Sequence, residues 1–278
     1  MVPLRIGHSP DADDAFMFFG FAQGAVRVEP YEIVHIVEDI ETLNRRALKG
    51  ELEVTAASAA VYPQVARHYR VLACGASVGR NYGPIIVARR PLAMGALAGK
   101  RVAIPGDHTT AFLLLNIYAP QVVPVPTPFD LIMERVREGE VEAGVLIHEG
   151  QITYASLGLH QVGDLGQAWS QETGLPIPLG LDLVHRRLGE QDARRVYDAL
   201  LASIRYAQEH PEAAHRYAQQ FSRGLGLADS RRFVGMYVNQ DTLQLGEEGR
   251  QALSALYQRA HEKGLIPGVP PLDIVGLA

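Results

Sequence analysis

Short apolar runs bounded by turn residues alternate along this chain with segments whose apolar positions recur at helical spacing. The runs at 4–7, 31–37, 52–57, 71–74, 84–89, 100–104, 122–125 and 143–147 each predict a strand. Continuous apolar runs of this length suit strands buried on both faces, as in a parallel sheet. Ile40, Leu43, Ala47 and Leu48 keep helical period and stop at Gly50, and Ile132 and Val136 do the same before Gly139. Phe16, Phe18, Phe19 and Phe21 are too dense for one stripe, so their helix is expected to be covered, with Gly24 as its stop. Another helix is expected over 59–68, with Pro63 in its first turn, where proline is tolerated. The last third is helical, with Val196, Leu200, Ile204 and Ala207, then Leu253, Leu256, Tyr257 and Ala260, on apolar faces.

This alternation predicts an α/β fold. The run at 84–89 reads as a crossing into a second lobe, and the extended segment 175–184, marked by Pro176, Pro178 and Gly180, as the return. Two crossings and a C-terminal helical wrap describe a two-lobed clamshell, with residues 1–88 plus 181–278 in one lobe and 89–180 in the other. An internal echo supports it: residues 43–54 and 132–143 both read as an apolar helix with arginine, a Gly-Glu stop and an apolar strand. Laid over one another, they set Ser58 against Ile147 and Ala59 against His148. Ser58 and His148 are then expected to face each other across a cleft, a preferred place for ligands.

Composition narrows the function classes. The 278 residues fit one or two α/β domains, and 47% hydrophobic with 21% charged residues is ordinary for a globular protein. A formal net charge of −5 gives no support for nucleic-acid binding. A single cysteine, Cys74, excludes an internal disulfide and any zinc site built from several thiolates. No His-Glu-x-x-His pattern occurs, and neither the Gly75, Gly79, Gly83 loop nor 95–100 completes a Walker motif, so no metal site is expected. The glycines of that loop are expected to make it pliable. The opening residues lack a basic region followed by an apolar core, and no apolar run approaches the ~20 residues that span a bilayer. A cytoplasmic location without membrane contact is the expectation; oligomeric state carries no signal.

Candidate chemistry gathers where strands end, because ligands of open α/β sheets sit outside the strands' carboxyl ends. His148 follows the run 143–147 there, and its neighbour Glu149 is a candidate to orient it. Thr109 and Thr110 open a helix whose free amides and hydroxyls suit a carboxylate or phosphate, with a plain threonine cap as the alternative. The turn after the first strand carries Ser9, Asp11, Asp13 and Asp14; Ser9 or Asp11 suits the N-cap, and the acids favour the helix dipole. His8 and His108 are weaker candidates for the cleft wall, and Trp169 for either core or pocket.

Several stretches in series carry a family resemblance: Glu-Asp-Ile-Glu-Thr-Leu-Asn-Arg at 38–45, Tyr-Gly-Pro-Ile-Ile-Val-Ala-Arg at 82–89, His-Thr-Thr-Ala at 108–111, Gly-Glu-Val-Glu-Ala-Gly at 139–144 with Ile-His-Glu at 147–149, Gly-Leu-Pro-Ile-Pro-Leu-Gly at 174–180 and Tyr-Val-Asn at 237–239. Together they resemble the 1,4-dihydroxy-6-naphthoate synthases of the futalosine route to menaquinone, within the wider group of periplasmic-binding-protein-like menaquinone enzymes. The resemblance implies a type II clamshell, a proton acceptor at His148, and substrate contacts at Ala56, Ala57, Ser58, Thr109 and Thr110, with Ser9 and Asp14 beside them. It also implies a small carboxylate substrate, no metal and no organic cofactor. The implied reaction opens cyclic dehypoxanthinyl futalosine to 1,4-dihydroxy-6-naphthoate and sheds the sugar-derived fragment. Two positions depart from the pattern. Resembling enzymes read Ser-Pro-Cys-Pro-Asn-Asp-Thr-Phe where this chain has Ser-Pro-Asp-Ala-Asp-Asp-Ala-Phe at 9–16, and they carry lysine at Ala56. Loss of a cation and gain of an acid are expected to weaken carboxylate binding, with Arg80 or Arg89 as candidate replacements. A non-catalytic carboxylate-binding protein and a chorismate dehydratase are alternatives on the same fold, and the quoted stretches fit the naphthoate synthases better.

Overall fold

The computed structural model describes residues 2–222 and 225–277. Strands β1 (Val2–His8), β2 (Tyr31–Val37), β3 (Val54–Ser58), β4 (Tyr69–Leu72) and β5 (Ser77–Gly79) open the first sheet. The chain then builds a second sheet from β6 (Ile85–Ala88), β7 (Arg101–Ile104), β8 (Val123–Pro126), β9 (Ala143–Leu146) and β10 (His160–Asp164). It returns to the first sheet with β11 (Ile177–His185) and β12 (Ile274–Val275). By sheet membership the crossings fall after Gly79 and before Ile177, a few residues earlier than the divisions drawn from sequence. Proline and glycine mark both crossings, and the apolar runs on either side conceal where one sheet ends.

The two sheets share one plan. In the first, β1 lies between parallel neighbours β2 and β3, and antiparallel β11 covers the far side of β3. In the second, β7 lies between parallel β8 and β9, and antiparallel β6 covers β9. The echoed segments are therefore topological equivalents. Helix Ile40–Leu48 leads into β3, and helix Ile132–Glu138 leads into β9. Each helix ends near a glycine of positive φ, Gly50 at 68° and Gly139 at 82°, a conformation glycine adopts without steric cost.

At the first crossing the glycines serve close approach rather than pliability. A Cβ on Gly83 would lie 2.8 Å from the Gly166 Cα, so the strand connection and the helix Leu165–Thr173 touch backbone to backbone. Trp169, on that helix, is fully buried and donates its indole N–H to the Pro176 carbonyl at 3.0 Å; it belongs to the core. Phe16, Phe18, Phe19 and Phe21 are all buried as expected, each such side chain contributing roughly 1.5–3 kcal/mol. Their segment folds as two short helices, Ala12–Met17 and Phe19–Ala22, under the C-terminal helices, with Phe16 and Phe19 packed among Ala207, Ala214 and Phe233. The expected helix over 59–68 is shorter, a 3-10 turn Ala59–Val61 followed by Tyr62–Val65 with Pro63 in its first turn. No helix among the described residues is long and apolar enough to cross a membrane.

Candidate functional site

Parallel neighbours β1 and β3 end on one edge of the first sheet, and β7 and β9 end on one edge of the second. The two edges face each other across a mostly apolar cavity that is partly open to solvent. The base and substrate-contact positions that the resemblance implies line it: Ser9 and Asp14 after β1, Ala56, Ala57 and Ser58 on β3, Thr109 and Thr110 after β7, and His148 after β9. Leu179, Leu181, Phe233 and Tyr237 add an apolar wall suited to a flat ring system.

His148 holds φ at +59°, in the left-handed region that residues other than glycine seldom adopt. The turn swings the imidazole across the cleft, where Nδ1 lies 2.9 Å from Asp11 Oδ2. Asp11, 2% exposed, also accepts the Ser9 hydroxyl on that oxygen. Phe129 packs edge-on to the imidazole, with ring centroids 4.8 Å apart. The other ring nitrogen, Nε2, is buried with no hydrogen-bond partner among the described residues. Burial lowers the imidazole pKa, but the carboxylate of Asp11, helped by Glu149 and Asp13, more than offsets this and raises it above 6.5. The carboxylate on His148 Nδ1 is thus Asp11 from the other lobe, with Glu149 acting on the imidazole through its charge. Asp11 occupies the N-cap position of helix Ala12–Met17 without a side-chain cap bond, so the expected capping role fails for the same reason.

Ser58 is fixed by Asn44, whose amide donates to Ser58 Oγ at 2.9 Å and whose carbonyl accepts Ser58 N–H at 2.8 Å. Thr109 is the cap, accepting Phe112 N–H at 3.2 Å and donating to the Gly106 carbonyl at 2.9 Å. The Thr110 hydroxyl joins the lobes: it accepts Ala60 N–H at 3.1 Å and donates to the Leu179 carbonyl at 2.7 Å. Both hydroxyls are engaged, which leaves the first-turn amides of helix Thr110–Tyr118 as the polar groups offered to a ligand there. Further cross-lobe bonds run from Tyr237 to Gln151 at 2.7 Å and from the His108 ring to Glu41 at 2.7 Å. The clamshell is closed.

Among the described cavity-lining residues there is no lysine or arginine. Arg80 is held by Asp241 and Glu248, and the Arg89 guanidinium lies against Gly139, so neither replaces the missing lysine. Acids instead cluster on the floor. Asp182, which the sequence reading passed over, stands opposite Ala56 in the β3–β11 register and is 1% exposed. Burial pushes its carboxyl up to about 8. Burial also drives Asp13 and Asp14 well up, reinforced by neighbouring carboxylates. With its carboxyl at about 8, Asp182 is mostly protonated at neutral pH, and burial shifts Asp13 and Asp14 in the same direction. His8 is buried outside the cavity, stacked on Phe18 at 4.7 Å, and His108 serves the Glu41 bond. Among the described residues no three His, Cys, Asp or Glu side chains are placed to hold a metal ion.

A family model described as menaquinone biosynthesis matches residues 4–262. The chain belongs to that family. A 1,4-dihydroxy-6-naphtoate synthase from Thermus thermophilus is 44% identical to this menaquinone-biosynthesis family member over 275 residues, covering 99% of this chain and 100% of the relative. The crystal structure of protein AF1704 from Archaeoglobus fulgidus superposes on it with a TM-score of 0.91 at 47% identity, covering 95% of this chain and 98% of the other. The alkanesulfonate-binding protein SsuA from Xanthomonas axonopodis shares the fold at a TM-score of 0.73 and 13% identity, covering 99% and 98% of the two chains. This family member is a periplasmic-binding-protein-like clamshell.

Proposed function

We propose that the protein is a 1,4-dihydroxy-6-naphthoate synthase, a carbon–carbon lyase that opens cyclic dehypoxanthinyl futalosine in the interlobe cleft, with His148 as general base. The observation that carries this reading is that His148 lines the apolar cavity with Nδ1 held by a carboxylate, while its buried Nε2 has no hydrogen-bond partner among the described residues. Full-length similarity to a synthase of that name supports the substrate. Nε2 takes a proton from the substrate, the bond to the sugar-derived ring breaks, and aromatisation of the bicycle drives the step. A positioned base gives roughly 10²–10⁴-fold acceleration. The amides at the start of helix Thr110–Tyr118 and the Ser58 hydroxyl receive the carboxylate, and the raised carboxyls of Asp182, Asp13 and Asp14 lessen its repulsion. No cofactor enters the scheme, and a biosynthetic role of this kind fits the cytoplasm.

Purified protein incubated with cyclic dehypoxanthinyl futalosine is expected to generate naphthoate absorbance. His148→Ala is expected to keep ligand affinity and lose turnover. Absence of turnover by the unmutated protein, with tight binding retained, would replace the enzyme by a carboxylate-binding protein; turnover of chorismate instead would change the substrate.

A further inference from the structure

Resembling enzymes carry cysteine where this chain has Asp11. Here its carboxylate lies 2.9 Å from His148 Nδ1 although the two residues sit on facing lobes, one after β1 and one after β9. Building on the reading of His148 as the base, we propose that Asp11 is its positioning residue, and that lobe closure arms the base by bringing the two together.

The argument is one of tautomers. A neutral imidazole carries one N–H, and the partner of one nitrogen decides which it is. A carboxylate accepts only, so Asp11 fixes the hydrogen on Nδ1 and leaves the Nε2 lone pair, which has no hydrogen-bond partner among the described residues, as the basic site. The Ser9 hydroxyl on the same carboxylate oxygen, and the Ser9 N–H on Asp14 at 2.6 Å, hold the turn that presents it. On the other side, the left-handed backbone of His148 and the Phe129 edge fix the ring. Once the proton has moved, Nε2 bears the new N–H and the imidazolium is stabilised by the same carboxylate, the service an aspartate gives the histidine of a serine-protease triad. The groups facing this imidazole are Asp11 and Asp13 from the first lobe and Glu149 beside it; all three raise its proton affinity, Asp11 most. Separation of the lobes removes both first-lobe acids at once. An open enzyme then holds a weaker base with no fixed tautomer, and proton abstraction is confined to the closed state that excludes water.

The test is Asp11→Asn, with Asp11→Glu as the conservative variant and Asp11→Cys as a second replacement where the amide fails to fold. His148 ring titration is followed by NMR in the substrate-free protein, and the pH profile of kcat/KM is measured alongside. In Asp11→Asn the titration and the acid limb both move to lower pH, kcat falls on the order of 10²-fold or more, KM changes by less than about threefold, and Asp11→Glu recovers part of the loss. An unchanged titration and unchanged acid limb in Asp11→Asn and Asp11→Cys overturn the proposal. The NMR arm needs no turnover, so a failure of the synthase reading itself shows separately, as a shifted titration in a protein that converts no substrate.

Discussion

Asp182 stands directly across the sheet from Ala56, and the carboxyl that faces the small side chain holds its proton up to about pH 8. An acid whose folded pKa lies above its unfolded value near 3.8 contributes no penalty below that value. As pH rises, the unfolded chain ionises first, so folding stability declines through the window from about 4 to about 8. Asp182→Asn removes the penalty. The variant is expected to match the parent protein near pH 4 and to exceed it at pH 9 by about 2 kcal/mol or more. Thermal melts across that range check it; parallel curves for the two proteins would place the proton elsewhere.

Thr110 bridges the lobes while Thr109 caps a helix, so valine at each position gives different defects. Thr110→Val strands the Ala60 N–H and the Leu179 carbonyl, a cost of about 1–3 kcal/mol charged to the closed form. Small-angle scattering is expected to show a more open particle and KM is expected to rise about tenfold or more. Thr109→Val forfeits a cap of about 1 kcal/mol and lowers Tm with the scattering profile unchanged.

Asn44 reaches Ser58 with one donor and one acceptor. Asn44→Asp keeps the acceptor for Ser58 N–H but has no N–H to give, so the Ser58 hydroxyl turns its own proton onto the new carboxylate and away from the cavity. Substrate KM is expected to rise with kcat nearly constant. Asn44→Ala leaves the buried Ser58 N–H unpaired and is expected to cost about 1–3 kcal/mol in chemical denaturation.

Gly106 holds φ at +153° against the Glu41 carboxylate, which also receives the His108 N–H at 3.0 Å. A Cβ at this position meets that carboxylate, so Gly106→Ala is expected to push the lobes apart at the cleft mouth. Ligand affinity falls in isothermal calorimetry, while the isolated melting of each lobe's helices stays in place.

Legibility followed sequence distance. Strand tips announce themselves locally, as an apolar run broken by polar residues, which is why the chain alone suffices to place His148, Ser58 and the Thr109–Thr110 pair at the cleft. Asp11 was not, because a serine or aspartate before a helix has a sufficient local explanation as a cap, and its real partner comes from the other lobe. Asp182 did leave a signal, a lone acid inside the apolar stretch of β11, overshadowed by the prolines that mark a crossing. The glycines of the first crossing read as pliable because composition reports conformational freedom but not the backbone pressed against them. No lysine or arginine lines the cavity among the described residues, and that burial lifts the Asp182 carboxyl to about 8 is displayed only by the folded chain.

The strands that flank the cleft-facing tips, β11 beside β3 and β6 beside β9, are also the strands through which the chain passes between lobes. Hinge and pocket are consequently the same material. A twist at either connector is delivered to Ser58 or His148 through a single layer of backbone hydrogen bonds, with no intervening element to absorb it. Evolutionary or engineered change at residues 80–83 and 174–176 therefore tunes the span between the two walls, and with it the width of ligand the cleft accepts, while every lining side chain stays the same.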